Sequence, residues 1–231
     1  IEVEGLFTHF SRADEMEKTS AMTQLGRYLH FTELLKARGL EIPIKHCSNS
    51  AGIIDLPQAN LNCVRAGITM YGMYPSEEVQ KDKVPLKPAL GLKSFVTYVK
   101  ELGPGEEISY GGTYVTERTM RIATVAVGYG DGYPRSLSNC GYVLICGKRA
   151  RILGRVCMDQ LMVDVTDIME ADVDTPVTLI GKDGDEEITM EHLAELCGGF
   201  HYEMVCDIGK RVPRVYYRGG KVVGTMDCFA E

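Results

Sequence analysis

Apolar and polar positions follow two different rhythms along this chain, and the rhythm changes at a polar segment over residues 80–87. Residues 3–10 read as a first strand. Residues 14–38 then place Met22, Leu25, Leu29 and the Leu34-Leu35 pair near one helical stripe, stopped by Gly39. A short strand is expected over 42–47, a brief helix over 51–56 ended by Pro57, and a strand-to-turn segment over 63–71. This β-α-β-α-β order predicts parallel strands joined by helical crossovers.

The polar segment carries Pro85, with Pro88 just after it, and reads as a linker. Beyond it lie short β-branched, aromatic or aliphatic runs at 95–99, 120–127, 142–146, 150–153, 162–165, 177–180 and 212–217. Turn clusters such as Gly103-Pro104-Gly105, Gly130-Asp131-Gly132, Lys182-Asp183-Gly184-Asp185 and Gly219-Gly220 punctuate them. This half predicts an antiparallel β domain with one helix at 190–196, closed by Gly198-Gly199. The expected domains are 1–79 and 80–231, α/β followed by all-β.

Composition narrows the function classes. The 231 residues are 45% hydrophobic and 25% charged, an ordinary globular balance. A net charge of -7 disfavours nucleic acid and anionic membranes as partners. No apolar run approaches the ~20 residues of a membrane span. The N-terminus has neither the basic nor the apolar part of a signal peptide. The eight cysteines form no C-x-x-C pair and no zinc spacing with histidine, so buried free thiols in a reducing cytoplasm are expected, without a metal. Ile1 is not an initiator methionine, and the sequence after it reads as the middle of a packed fold.

Candidate chemistry collects at expected strand ends, where β/α barrels place functional side chains. His9 ends the first strand, Asn49-Ser50 the second, and Arg65-Ala66-Gly67-Ile68 lies near the end of the third. Each has an ordinary structural reading: a core histidine, a helix N-cap, a salt-bridge partner. Together they suit a planar aromatic ligand carrying a phosphate. An imidazole can stack on a pyridine ring, while a serine hydroxyl with the Gly67 and Ile68 amides can hold phosphate oxygens. An arginine facing a ring nitrogen donates without giving up its proton. In the second half, Tyr110 stands in Ser109-Tyr110-Gly111-Gly112, between an expected strand end and a glycine pair. A phenol titrating near pH ~10 becomes a proton acceptor only where a donor or cation favours the phenolate.

The chain resembles alanine racemase. Matching segments, in family order, include residues 5–15, Asn49-Ser50-Ala51, 64–72, Ser109-Tyr110-Gly111, 127–135, 154–160, Tyr202-Glu203 and Arg211-Val212-Pro213-Arg214. The resemblance implies the C-terminal part of a (β/α)8 barrel that binds pyridoxal 5'-phosphate (PLP), followed by an antiparallel β domain. It further implies a cytoplasmic homodimer with shared active sites, supplying D-alanine for peptidoglycan. By the same resemblance His9 stacks on the cofactor ring and Arg65 faces its nitrogen. Ser50, the Gly67 and Ile68 amides and the Tyr202 hydroxyl take the phosphate. Tyr110 removes the α-proton of the L-enantiomer at the other subunit's cofactor, and Met158 meets the substrate carboxylate through its N–H. Tyr129, Asp14, Arg135 and Arg155 line the entrance corridor.

One departure from the family pattern matters most. The family's Schiff-base lysine, which is the second base, and the arginine that supports the catalytic phenol have no counterparts here. None of Lys18, Lys36 or Lys45 stands in the family's lysine context. This polypeptide alone is therefore expected not to racemise alanine. The alternatives are a racemase preferring serine or another amino acid, a decarboxylating relative (which Arg65 argues against), and a non-catalytic assembly module. Open strand edges of a partial barrel predict dimerisation, association with the missing half, or poor solubility.

Overall fold

A computed structural model describes residues 1–229 and divides into two compact units, Ile1–Ala89 and Leu90–Glu231. In the first unit, β1 (Gly5–Phe7) and β2 (Ile44–His46) pair in parallel, with α1 (Thr19–Ala37) crossing between them and α2 (Ser50–Asp55) following β2. The third expected strand is not formed. Over 63–71 there is one ladder-like bond, Arg65 N–H to the Ser48 carbonyl at 2.9 Å, before Gly67 leaves extended geometry (φ -109°, ψ -102°) and the 3-10 turn Ile68–Tyr71 begins.

Helix α1 starts at Thr19 rather than at 14, because 11–18 is a turn tied down by Lys18. Its ammonium donates to the carbonyls of Ala13 at 2.8 Å and Glu15 at 2.5 Å. It also stands 2.7 Å from Asp55 Oδ2 as an ion pair, without a well-formed hydrogen bond. The face of α1 that is buried carries Ala21, Leu25, Tyr28 and Thr32, and Tyr28 donates to the Leu6 carbonyl at 2.7 Å. Of the expected apolar stripe only Leu25 is buried; Met22, Leu29 and Leu34 stay exposed. A tyrosine with a backbone acceptor and a small alanine fit against the strands better than the longer aliphatic row.

The second unit is built on β3 (Leu92–Leu102), β4 (Glu107–Ile108), β5 (Tyr114–Val115), β6 (Met120–Val125), β7 (Tyr142–Ile145), β8 (Lys148–Leu153), β9 (Leu161–Asp164), β10 (Pro176–Asp183) and β11 (Glu186–Ile188). All its strand pairs are antiparallel. The main sheet runs β11-β10-β3-β6-β9-β8-β7, and β10 also pairs with β7, so six strands close into a barrel. Val96, Ile122, Ile152, Leu161, Val163, Val177 and Leu179 are among its fully buried residues. Helices α3 (Met190–Cys197) and α4 (His201–Asp207) follow, then the ribbon of β12 (Arg214–Arg218) and β13 (Lys221–Met226). The strand end expected before Tyr110 is β4, whereas the sequence pattern misses α4, β11, β13 and the two-residue strand β5; these are short, charged or glycine-interrupted. Among the described residues no helix is long and apolar enough to cross a membrane, and no cluster of metal-ligating side chains occurs.

Removing Lys18 strands the Asp55 carboxylate, whose side chain is fully buried. Lys18→Met is expected to destabilise the first unit by about 3 kcal/mol, read as a lowered midpoint in urea unfolding. An unchanged midpoint refutes the anchoring role.

Candidate active site

In the first unit the site is assembled where β1 and β2 end. The register sets Phe7 opposite His46, and their rings stack at 5.4 Å. Arg65 lies over the Phe7 ring, its Cζ 5.3 Å from the centroid. Its NH1 group donates to His46 Nδ1 at 2.7 Å and to the His46 carbonyl at 3.4 Å. The NH2 group donates to the carbonyls of Thr8 at 3.2 Å and Cys47 at 3.1 Å, and lies 3.4 Å from His9 Nδ1. A guanidinium only donates, so His46 Nδ1 accepts and its ring proton belongs on Nε2. The Arg65 Nε–H alone has no hydrogen-bond partner among the described residues. Beside it, burial pushes the Cys47 thiol up to about 11, so this neighbour stays neutral.

Ser50 is buried at the start of α2, but it is not the N-cap; Asn49 is, accepting from the Gly52 N–H at 3.0 Å. That frees the Ser50 hydroxyl to face the next loop. Its Oγ accepts from the N–H groups of Gly67 at 3.1 Å and Thr69 at 3.4 Å, and lies 3.2 Å from Thr69 Oγ1. Ser50, Gly67 and Thr69 thus gather hydroxyls and amides in one place, with Ile68 buried behind them. His9 is exposed beside Arg65. Asp14 stands apart in the 11–18 turn, its carbonyl accepting from Ser76 Oγ at 2.6 Å.

In the second unit, Tyr110 rides on a strained turn. Ser109, just before it, has φ 66° and ψ -177°, a region almost restricted to glycine. Three contacts impose this conformation. The Ser109 hydroxyl donates to the Arg155 carbonyl at 2.6 Å. Ile108 is buried in a cluster with Met120, Ile122 and Leu153, against which Tyr114 packs from the far side of the turn. Gly154 (φ 72°) has no side chain, and a Cβ there would meet the Ile108 carbonyl at 2.4 Å and Ser109 Cβ at 2.8 Å. The Tyr110 ring is consequently thrust outward, 70% exposed. The Arg155 guanidinium lies along the same turn, its Cζ 3.6 Å from where a Gly111 Cβ would stand.

Tyr129 and Met158 are also brought together. The Tyr129 N–H donates to the Cys157 carbonyl at 3.0 Å, and the Gly130 N–H to the Met158 carbonyl at 2.8 Å. The approach is so close that a Cβ at Gly128 would meet the carbonyl oxygens of Cys157 at 2.2 Å and Met158 at 2.3 Å. The Met158 N–H makes no hydrogen bond among the described residues. Both side chains are exposed. Arg135 is exposed at the start of a separate 3-10 turn anchored by the buried Leu137, its carbonyl accepting from the Ser138 hydroxyl. Tyr202 lies in the first turn of α4, its ring stacked on Phe200 at 4.7 Å.

Sequence reasoning missed His46, Thr69, Asp131, Asp159 and Arg211. Asp131, Asp159 and Arg211 sit inside segments matched to the family without a role, a signal that was available. His46 carried none, since it reads simply as part of a strand.

The family profile described as "Alanine racemase, N-terminal domain" matches residues 1–75, and "Alanine racemase, C-terminal domain" matches 89–216. Among curated relatives, the alanine racemase of Methanococcus maripaludis is 48% identical over 94% of this chain and 58% of its own length. That of Clostridium perfringens strain SM101 is 47% identical over 96% of this chain and 58% of its own length. Among solved structures, Clostridium difficile 630 alanine racemase in complex with cycloserine superposes at TM-score 0.93 with 41% identity, over 99% of this chain and 60% of the other. The Bacillus anthracis enzyme with bound L-Ala-P gives TM-score 0.92 and 42% identity, over 98% and 58%. The chain therefore spans less than two thirds of the length of these relatives.

Gly154→Ala forces apart the Ile108–Ser109 backbone and adds a left-handed alanine. A stability loss of about 2 kcal/mol or more is expected, together with a changed Tyr110 ring signal by NMR. Wild-type stability and an unmoved Tyr110 signal refute the seating role of this glycine.

Proposed function

This chain belongs to the alanine racemase family, and from that premise we propose that it forms the larger part of a PLP-dependent enzyme interconverting L- and D-alanine. The observation that carries the reading is the grip on Arg65. With NH1 and NH2 engaged by His46 and by the Thr8 and Cys47 carbonyls, the guanidinium is fixed in place with its Nε–H directed to no protein acceptor. That is the donor set required opposite a ring nitrogen. The Ser50, Gly67 and Thr69 group is of the kind that holds phosphate oxygens. The residues present therefore fit PLP, which when bound supplies a conjugated ring able to accept electron density from the α-carbon.

The chain's own residues divide the rest of the work. Arg65 holds a permanent charge at the ring nitrogen and does not give it a proton, which moderates the electron sink and favours return of a proton over loss of carbon dioxide. His9, exposed beside Arg65, covers the ring face, and Ser50 with the Gly67 and Ile68 amides and Tyr202 fixes the phosphate. Met158 offers its free N–H to the substrate carboxylate, with Tyr129 beside it. Tyr110 accepts the α-proton of L-alanine at its phenolic oxygen. Asp14, Arg135 and Arg155 line the approach.

A phenol this exposed is a poor base in water; it needs a surface that excludes solvent. We therefore assign the assembled enzyme as a homodimer in which Tyr110 of one protomer serves the cofactor of its partner, in the cytoplasm. The opposing base is assigned to a lysine in the family's sequence context, which none of Lys18, Lys36 or Lys45 has, and Lys18 is moreover paired with Asp55.

In the full-length enzyme, Tyr110→Phe is expected to lower racemisation by about 10³-fold. In D2O the mutant should still exchange the α-proton of D-alanine, while exchange from L-alanine falls; equal loss from both enantiomers contradicts the assignment. The 231-residue chain with PLP alone is expected to show no racemisation, and adding the complementary N-terminal fragment should restore it. Turnover by the chain alone sinks the two-base division.

A further inference from the structure

Arg211 lies in a matched segment to which the site just described gives no part, yet it is the residue that ties two of the substrate-side loops together. Its Nε donates to Asp131 Oδ1 at 2.7 Å and its NH2 group to Asp159 Oδ1 at 2.5 Å. Asp131 belongs to the loop of Tyr129, and its other oxygen, Oδ2, accepts from the Gly128 N–H at 2.8 Å. Asp159 directly follows Met158. One guanidinium therefore spans the loop carrying Tyr129 and the loop carrying Met158, and the Asp131 carboxylate relays that hold to the backbone at Gly128.

Two further contacts complete the frame. The Gly209 N–H donates to the Asp131 carbonyl at 3.1 Å, holding the segment before Arg211 against the same loop. At Gly130 a Cβ would stand 3.0 Å from the Met158 carbonyl and 3.1 Å from Arg211 Cζ, so loop, loop and guanidinium meet at one point. Hydrogen bonds to the two carboxylates raise the arginine's already high pKa, so the guanidinium stays charged.

We propose that Arg211 is a positioning residue that sets the separation of the Tyr129 ring and the Met158 N–H, and so the width of the place where the substrate carboxylate binds. An isolated exposed ion pair contributes little. This one differs because a single donor fork engages two carboxylates on different loops, one of which also accepts from backbone. Its effect falls on geometry rather than on global stability. Lysine cannot replace it fully, since a compact ammonium lacks the fork that reaches both carboxylates at once.

The inference about substrate rests on the racemase reading, but the clamp itself is tested without it. Hydrogen exchange is measured on the full-length protein for wild type, Arg211→Gln and Arg211→Lys. In Arg211→Gln the Tyr129 and Gly130 amides, which bond to the Cys157 and Met158 carbonyls, should lose at least about tenfold in protection. The barrel amides of β6 and β9 should keep theirs, and Arg211→Lys should fall between. In racemisation assays KM for alanine should rise about tenfold or more, with kcat changed much less. Unchanged protection at Tyr129 and Gly130 overturns the proposal. Uniform loss across the barrel does so too, since it marks a merely structural arginine. Local loss of protection in Arg211→Gln, together with a wild type that racemises nothing, sustains the clamp and refutes the racemase reading.

Discussion

Closure of the antiparallel barrel is the constraint on which the second unit depends. The six barrel strands run from β10 to β7, and these two also pair with each other, Val177 with Ile145 and Thr178 with Leu144. A sheet closed in this way leaves each of its six barrel strands paired on both sides, with no strand left as an open edge. Closure also fixes register, because a one-residue slip of any strand would turn Ile122, Ile152 or Val163 outward. With register fixed, the turns at the strand ends have fixed starting points. The loop after β6 and the loop after β8 carry Tyr129 and Met158, while the Tyr110 turn follows β4, which pairs with β5 outside the barrel and is seated on it through Ile108, buried with Ile122 and Leu153.

Those turns are then brought into working shape by small, local devices. Ser109 holds a glycine-like conformation because Gly154 leaves room and the Arg155 carbonyl accepts its hydroxyl. Strain of about 1–3 kcal/mol at one residue is tolerable only on a scaffold that over-determines it. Gly128 permits two loops to touch backbone to backbone, and Arg211 crosses them with charge. The first unit uses a different device to the same end. Arg65 donates to three carbonyls and an imidazole, so its direction is set by the ends of β1 and β2 rather than by its own rotamer preference.

Much of this was legible in residue order. A change from helical to strand periodicity is visible near residue 80, while the two compact units divide at Ala89–Leu90, and most barrel strands are visible as apolar runs, β7 most clearly because Val143, Leu144 and Ile145 are all buried. His9, Ser50 and Arg65 stand out as polar residues at strand ends, and Tyr110 as a tyrosine before two glycines. Elements that escaped notice share a physical cause. Strand β5 is two residues long, β11 is charged, and β13 contains a glycine, so none shows a period long enough to read. The segment 63–71 has the composition of a strand, yet Gly67 turns the backbone away after one bond.

The sequence by itself determined the chemistry available here: a tyrosine before two glycines, an arginine near an expected strand end, a serine before a helix, and a family resemblance spread along the chain. Those are properties of residue type and order, and they survive any folding. Only the tertiary structure decided what each group is free to do. It showed that Asn49 rather than Ser50 caps α2, that Lys18 is bound to Asp55, that Arg65 keeps one N–H unspent, and that Arg211 joins Asp131 to Asp159 across two loops. Such assignments depend on contacts between residues as far apart as Asp131 and Arg211, and no local pattern encodes which distant partner a donor will find.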